Sequence, residues 1–148
     1  MSEIKVDTLT GKTSAGDITI TSGSATMQLQ QGLAKAWVNF NGIGTVAVRD
    51  SLNASSIQDN GTGYYSLNFL SSTANINYSV SGGTNGTNNS FPTAASTSGD
   101  IRFHTSNASP YKVQPTTSAF TITVSQDLNM GVPIDIEWAS ANIHGDLS

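Results

Sequence analysis

The chain has 148 residues, with 6 Lys and Arg against 10 Asp and Glu, a net charge of −4 and a pI near 4.7. That length fits one domain with a real core, or a smaller domain plus an attachment arm, and excludes two full domains. The few scattered cations argue against a phosphate-neutralising nucleic-acid surface, and zero cysteines exclude disulfides, thiolate metal sites and thiol nucleophiles.

Only 11% of the residues are charged and 36% are hydrophobic, while Ser, Thr, Asn and Gly supply nearly half. Such a composition favours a turn-rich all-β protein over helical bundles, which draw on Ala, Leu, Glu and Lys. No apolar run is long enough to span a bilayer, and the opening MSEIKVDTLT lacks the basic-then-apolar order of a secretion signal.

In chain order, Ile4 to Leu9 and Asp17 to Thr21 alternate apolar and polar residues and predict two short strands. Met27 to Gly32 predicts one or two helical turns, with Ser24 or Thr26 as cap and Gly32 as stop. A helix so short is unstable alone. Residues 1–32 therefore read as an extended arm that needs a partner to bury its small apolar stripe.

From Lys35 the pattern strengthens. Ala36, Val38 and Phe40 share one strand face and Trp37 and Asn39 the other. Asn41-Gly42 marks a turn, and Val46 and Val48 give the returning strand. A second turn at Asn60 to Gly63 precedes Tyr65, Leu67 and Phe69, a strand at strict period two, and Tyr78 and Val80 suggest a further short one.

Residues Ser81 to Asp100 have no periodicity and one large apolar group, Phe91. A loop of that length inside a compact domain is usually functional or mobile. Further strands are expected at Ile101 and Phe103, at Phe120, Ile122 and Val124, and at Ile134, Ile136 and Trp138, with ASANIHGDLS as a tail. The expected core is Trp37, Phe40, Tyr65, Leu67, Phe69, Phe103, Phe120, Ile122, Ile136 and Trp138. Seven or eight short strands and no covering helix imply two sheets that cover each other: an all-β fold, a β-sandwich or jelly-roll-like domain over residues 33–148, preceded by the arm.

Chemistry is sparse. His104 and His144 are too isolated for a metal site or a catalytic base. Asp135 and Glu137 share one strand face, whereas a glycosidase pair usually faces across a cleft. Asp50-Ser51 and Asp59-Asn60 suit side-chain bonds to their own backbone better than calcium ligation. The glycines around Ile43 and Thr62 lie between strands and not before a helix, so no phosphate loop is present, nor is a Gly-x-Ser-x-Gly elbow. No enzyme, cofactor, metal or catalytic residue is expected.

The stretch KAWVNFNGIGTVAVRDSLNASSIQDNGTGYYSLNF, Lys35 to Phe69, resembles a segment of tail-fibre and related virion proteins of tailed bacteriophages, especially marine and cyanobacterial ones. The match runs through Lys35 to Gly42, Gly44 to Arg49, Ser51 to Ile57 and Asp59 to Gly63, and IKVDTLTGKTSAGDITI is similar to the N-terminal arm of short phage proteins of this kind. About the first 80 residues are covered. The resemblance implies a homotrimeric virion component, made in the host cytoplasm, with its arm on other virion proteins and its β domain facing a host surface glycan or protein. Typical fibres carry shaft repeats that this chain lacks, so a capsid decoration protein or tail adaptor is the alternative. Within the fibre reading, the long loop offers Asn85, Asn88, Asn89 and Phe91 as receptor contacts, since amides and an aromatic suit sugar hydroxyls and faces. Threefold association would also cover exposed strand edges.

Overall fold

Period-two alternation builds the main body, and complementary residue sizes close it. The computed structural model describes residues 3–12, 18–85, 99–102, 115–126 and 133–146. It falls into two units, Met1–Leu33 and Ala34–Ser148.

In the first unit, β1 (Thr19–Ser22) and β2 (Ala25–Gln28) form an antiparallel hairpin turned at Gly23, and α1 (Leu29–Gly32) is a single helical turn. The Leu29 amide bonds to the Ile18 carbonyl at 2.7 Å. Ile4, Val6, Leu9, Ile20 and Met27 are all exposed. Residues 4–9, expected as a strand, join no sheet, and the expected helix from Met27 is reduced to its last four residues because Met27 and Gln28 pair with β1.

The second unit contains two four-stranded antiparallel sheets. One has the order β4-β3-β10-β7, the other β5-β6-β9-β8. Their strands are β3 (Ala36–Asn41), β4 (Ala47–Leu52), β5 (Ala54–Gly61), β6 (Tyr64–Phe69), β7 (Ser79–Asn85), β8 (Gly99–Arg102), β9 (Ala119–Gln126) and β10 (Trp138–His144). The pairing is nested: β3 lies beside β10, the first and last strands of the unit, and β6 beside β9. Such nesting is how a long hairpin winds into two sheets.

The first sheet buries Ala36, Val38, Phe40, Ala139, Ala141 and Ile143, and the second buries Tyr65, Leu67, Phe69, Phe120, Ile122 and Val124, all in one cluster with Ile134 and Ile136. Phe40 meets Tyr65 edge-on, with ring centroids 4.9 Å apart. Phe69, Tyr78 and Phe120 form a second aromatic group at 5.9 to 6.5 Å. The chain passes from β4 to β5 through one residue, Asn53, at φ 54°, a left-handed conformation that Asn tolerates better than most residues. Its amide bridges Ser71 in both directions, accepting from Ser71 N at 2.7 Å and donating to Ser71 O at 3.0 Å.

Three expectations need correction. The last strand, expected at Ile134, Ile136 and Trp138 and followed by a tail, starts only at Trp138: residues 134–137 are no strand, and Ala139 to His144 are most of β10, an interior strand of its sheet. Across the β3 to β10 pair, Phe40 faces Ala139, Val38 faces Ala141 and Ala36 faces Ile143, so bulky meets small at each step. Alanine has low strand propensity, and its role here comes from the partner it makes room for. Trp37 and Trp138, expected in the core, lie on the opposite strand face, half-buried and 43% exposed respectively. Ser81 to Asn85, expected in the long loop, belong to β7 and pair with Trp138 to Asn142; residues 86–98 lie outside the described residues. Phe103 and His104 lie outside the described residues.

Candidate functional site

Polar chemistry concentrates in two places, one buried and one open. At the buried one, the Tyr65 hydroxyl donates to Asp135 Oδ1 at 2.8 Å, with the Gly42 carbonyl 3.2 Å away. Asp135 Oδ1 also accepts from Gly63 N at 2.8 Å, and Gly42 N donates to Ile136 O at 2.9 Å. Gly63 has φ 72°, and a Cβ there would strike Val124 O and Ile134 N; a Cβ at Gly42 would overlap the Tyr65 hydroxyl. Burial first, then the bond to the Asp135 carboxylate, hold the Tyr65 phenol well above its ordinary range. The Tyr65 hydroxyl, the Gly63 and Gly42 amides and Asp135 Oδ1 are all paired, so the cluster serves as a clamp that joins two turns to the segment leading into β10.

Asp135 and Glu137, expected on one acidic face, therefore have separate tasks. Glu137 is exposed and contacts Arg49 across 3.9 Å. His144 is half-buried in β10 and meets the Asn142 amide at 3.2 Å. Asp59 accepts from Gly61 N at 2.9 Å and Asp50 from Ser51 N at 2.8 Å, the local backbone bonds expected of them. Among the described residues no group of three or more His, Asp or Glu could hold a metal ion.

The open place is the outer face of the β4-β3-β10-β7 sheet. Alternation turns Trp37, Asn39 and Asn41 of β3 away from the core, together with Trp138, Ser140, Asn142 and His144 of β10. Both tryptophans of the chain thus share one face with a grid of amides and hydroxyls. Asn142 lies between Trp37 and Ser81 in register, and Ser81 Oγ donates to Asn142 Oδ1 at 3.0 Å.

A β-bulge aims a cation at this face. Asn39 pairs with Asp50 and Phe40 with Val48, which leaves Arg49 as the extra residue of β4, and bulges commonly re-aim a side chain. The Arg49 guanidinium lies 3.6 Å from the Trp138 ring centroid and donates to the Glu137 carbonyl at 2.5 Å. A cation over an indole contributes about 0.5–1 kcal/mol where solvent reaches it, enough to favour one indole orientation. Beside Trp138 lies a groove of about 310 Å³, lined by Asn39, Gly83, Thr84, Trp138, Ala139 and Ser140.

Of the receptor contacts expected from sequence, Asn85 is the last residue of β7 and pairs in register with Trp138. Asn88, Asn89 and Phe91 lie outside the described residues. Sequence reasoning missed the groove. The available signal was Trp37 and Asn39 on the outward face of the strand at Lys35, together with the side-chain-free Gly83. Comparison of the chain with protein-family models, curated proteins and solved structures found no match.

Proposed function

We propose that this chain is a structural protein of a phage virion, a short homotrimeric tail fibre whose β-sandwich body attaches to the host surface while residues 1–32 join other virion proteins. The observation that carries attachment is the preformed outer sheet face, where Arg49 holds the Trp138 indole beside the Asn39 amide and the Ser140 hydroxyl. Aromatic and amide groups on a regular sheet need little ordering to bind, and this favours weak contacts repeated over several copies. The resemblance of Lys35 to Phe69 to tail-fibre proteins supports the virion assignment, and the exposed apolar residues of the first unit support a role for it in assembly.

A second reading, a capsid decoration protein or tail adaptor, draws on the same exposed apolar residues, which would then grip virion partners. Gold-labelled antibody against the body on intact particles separates the two. Label at the tail tip is expected; label over the head or collar would replace the fibre reading with the adaptor one. The solution mass tests the trimer, expected at three times 15.4 kDa.

A further inference from the structure

We infer that the groove beside Trp138 binds a neutral hexose unit of a surface polysaccharide, an inference that rests on the host-attachment reading above and names its ligand class. Three observations converge on it. The first is shape. Gly83 removes a side chain from the outer face of β7, opposite Ser140, and a Cβ there would meet nothing within 4 Å. The resulting groove, about 310 Å³, stands at the lower end of the roughly 300–1,000 Å³ of small-molecule sites, a scale suited to a saccharide unit and small for a folded partner.

The second observation is chemical. Trp138 stays 43% exposed with Arg49 stacked on it, so indole surface remains available. The negative π-face of an aromatic attracts the weakly positive C–H groups of a pyranose ring. The Asn39 amide makes no side-chain hydrogen bond among the described residues, and it offers two donors and an acceptor on adjacent atoms, the pattern that reads neighbouring sugar hydroxyls. Ser140 adds a hydroxyl held at 3.3 Å from the Gly83 carbonyl.

The third is charge. None of the six lining residues is ionisable. Beside the groove, Arg49 is engaged by the Trp138 ring, the Glu137 carbonyl and the Glu137 carboxylate, and Asp50 lies opposite Asn39 in the next strand. A neutral lining with an acid nearby favours neutral sugars over sulfated, phosphorylated or uronic ones. It also disfavours a second copy of the chain, because a stable protein interface buries on the order of 1,000 Å² or more around an apolar centre, and this lining is mostly amide, hydroxyl and glycine.

The test is a titration of the full chain with neutral hexasaccharides of glucose, mannose, galactose and N-acetylglucosamine, with oligogalacturonate as the anionic control, followed by NMR of the two indole N–H signals. At least one neutral oligosaccharide is expected to shift one indole signal with a dissociation constant on the order of 1 mM for a single site. Gly83→Leu fills the groove at an open position and should weaken that binding at least tenfold with an unchanged melting temperature; Trp138→Ala should weaken it similarly. The inference is overturned if no neutral sugar binds, if only oligogalacturonate binds, or if binding survives both substitutions. A change in solution mass on Gly83→Leu without any sugar binding would also overturn it and assign the face to a second copy. Tail-tip gold label with a failed titration removes the groove alone, whereas label on the head removes the attachment reading whatever the sugars do.

Discussion

The two units of this chain place their apolar residues in opposite ways. In residues 1–33, Ile4, Val6, Leu9, Ile20 and Met27 are exposed and the β1-β2 hairpin has no buried face. In residues 34–148, alternate residues of both sheets meet in one cluster with exposures of 7% or less. A two-stranded hairpin is marginal in water, while stacked sheets gain about 25 cal/mol for every Å² of apolar surface removed from it. All eleven Phe, Tyr and Trp residues of the chain lie after residue 33, and there a second layer exists to cover the first.

Substitutions should sharpen that contrast, most strongly in the core. Phe40→Ala opens a void under Tyr65 between the two sheets and should cost about 3–5 kcal/mol in urea unfolding of the full chain. A loss below about 1 kcal/mol would show that the sheets do not share a core. Asp135→Ala leaves the Gly63 amide without its acceptor and the Tyr65 hydroxyl with only the longer bond to the Gly42 carbonyl and should cost roughly 2–3 kcal/mol. Adding Tyr65→Phe should cost less in that background than alone, since the hydroxyl has already lost the closer of its two acceptors.

Alkaline pH should also weaken the body selectively. Tyr65 is raised well above its ordinary range by burial and by Asp135, and burial pushes Tyr78 up to about 12. Both groups contribute fully below pH about 10, where the unfolded phenol is still protonated. Above that the unfolded state loses its protons first, so stability falls with rising pH through about 12 for Tyr78 and further for Tyr65. Melting temperatures between pH 8 and 11.5 should decline only past pH 10, and Tyr78→Phe should flatten the decline.

Two smaller effects complete the series. The hydroxyl of Thr123 is buried without a hydrogen-bond partner, so Thr123→Val should raise stability by about 1 kcal/mol; a loss of that size would mean that the hydroxyl is bonded after all. Met27→Ser in the first unit, at a position 54% exposed, should leave urea unfolding of the body within about 0.5 kcal/mol.

Several features were legible because they depend on local alternation. Tyr65, Leu67 and Phe69, and Phe120, Ile122 and Val124, announced core strands, and all are buried. The outward direction of Asn39 followed from the same period. Other features depend on a distant partner. β10 was hidden because Ala139 and Ala141 are small; they matter only opposite Phe40 and Val38. The candidate site was hidden for a related reason. Its residues come from β3, β7 and β10, which are remote in sequence, and Arg49 reaches Trp138 through a bulge that no periodicity reports.

The amino-acid sequence alone thus determined the all-β character and most of the buried strand faces, since a side-chain period of two is a property of each strand by itself. It also determined that Asp50 and Asp59 would serve their own backbone, because those bonds span one or two residues. Only the tertiary structure decided which strands are neighbours, that Asp135 clamps Tyr65, and that both tryptophans share an open face. Each of these rests on contacts between residues far apart in the chain, and their order is fixed by which surfaces fit when the two sheets close on one core.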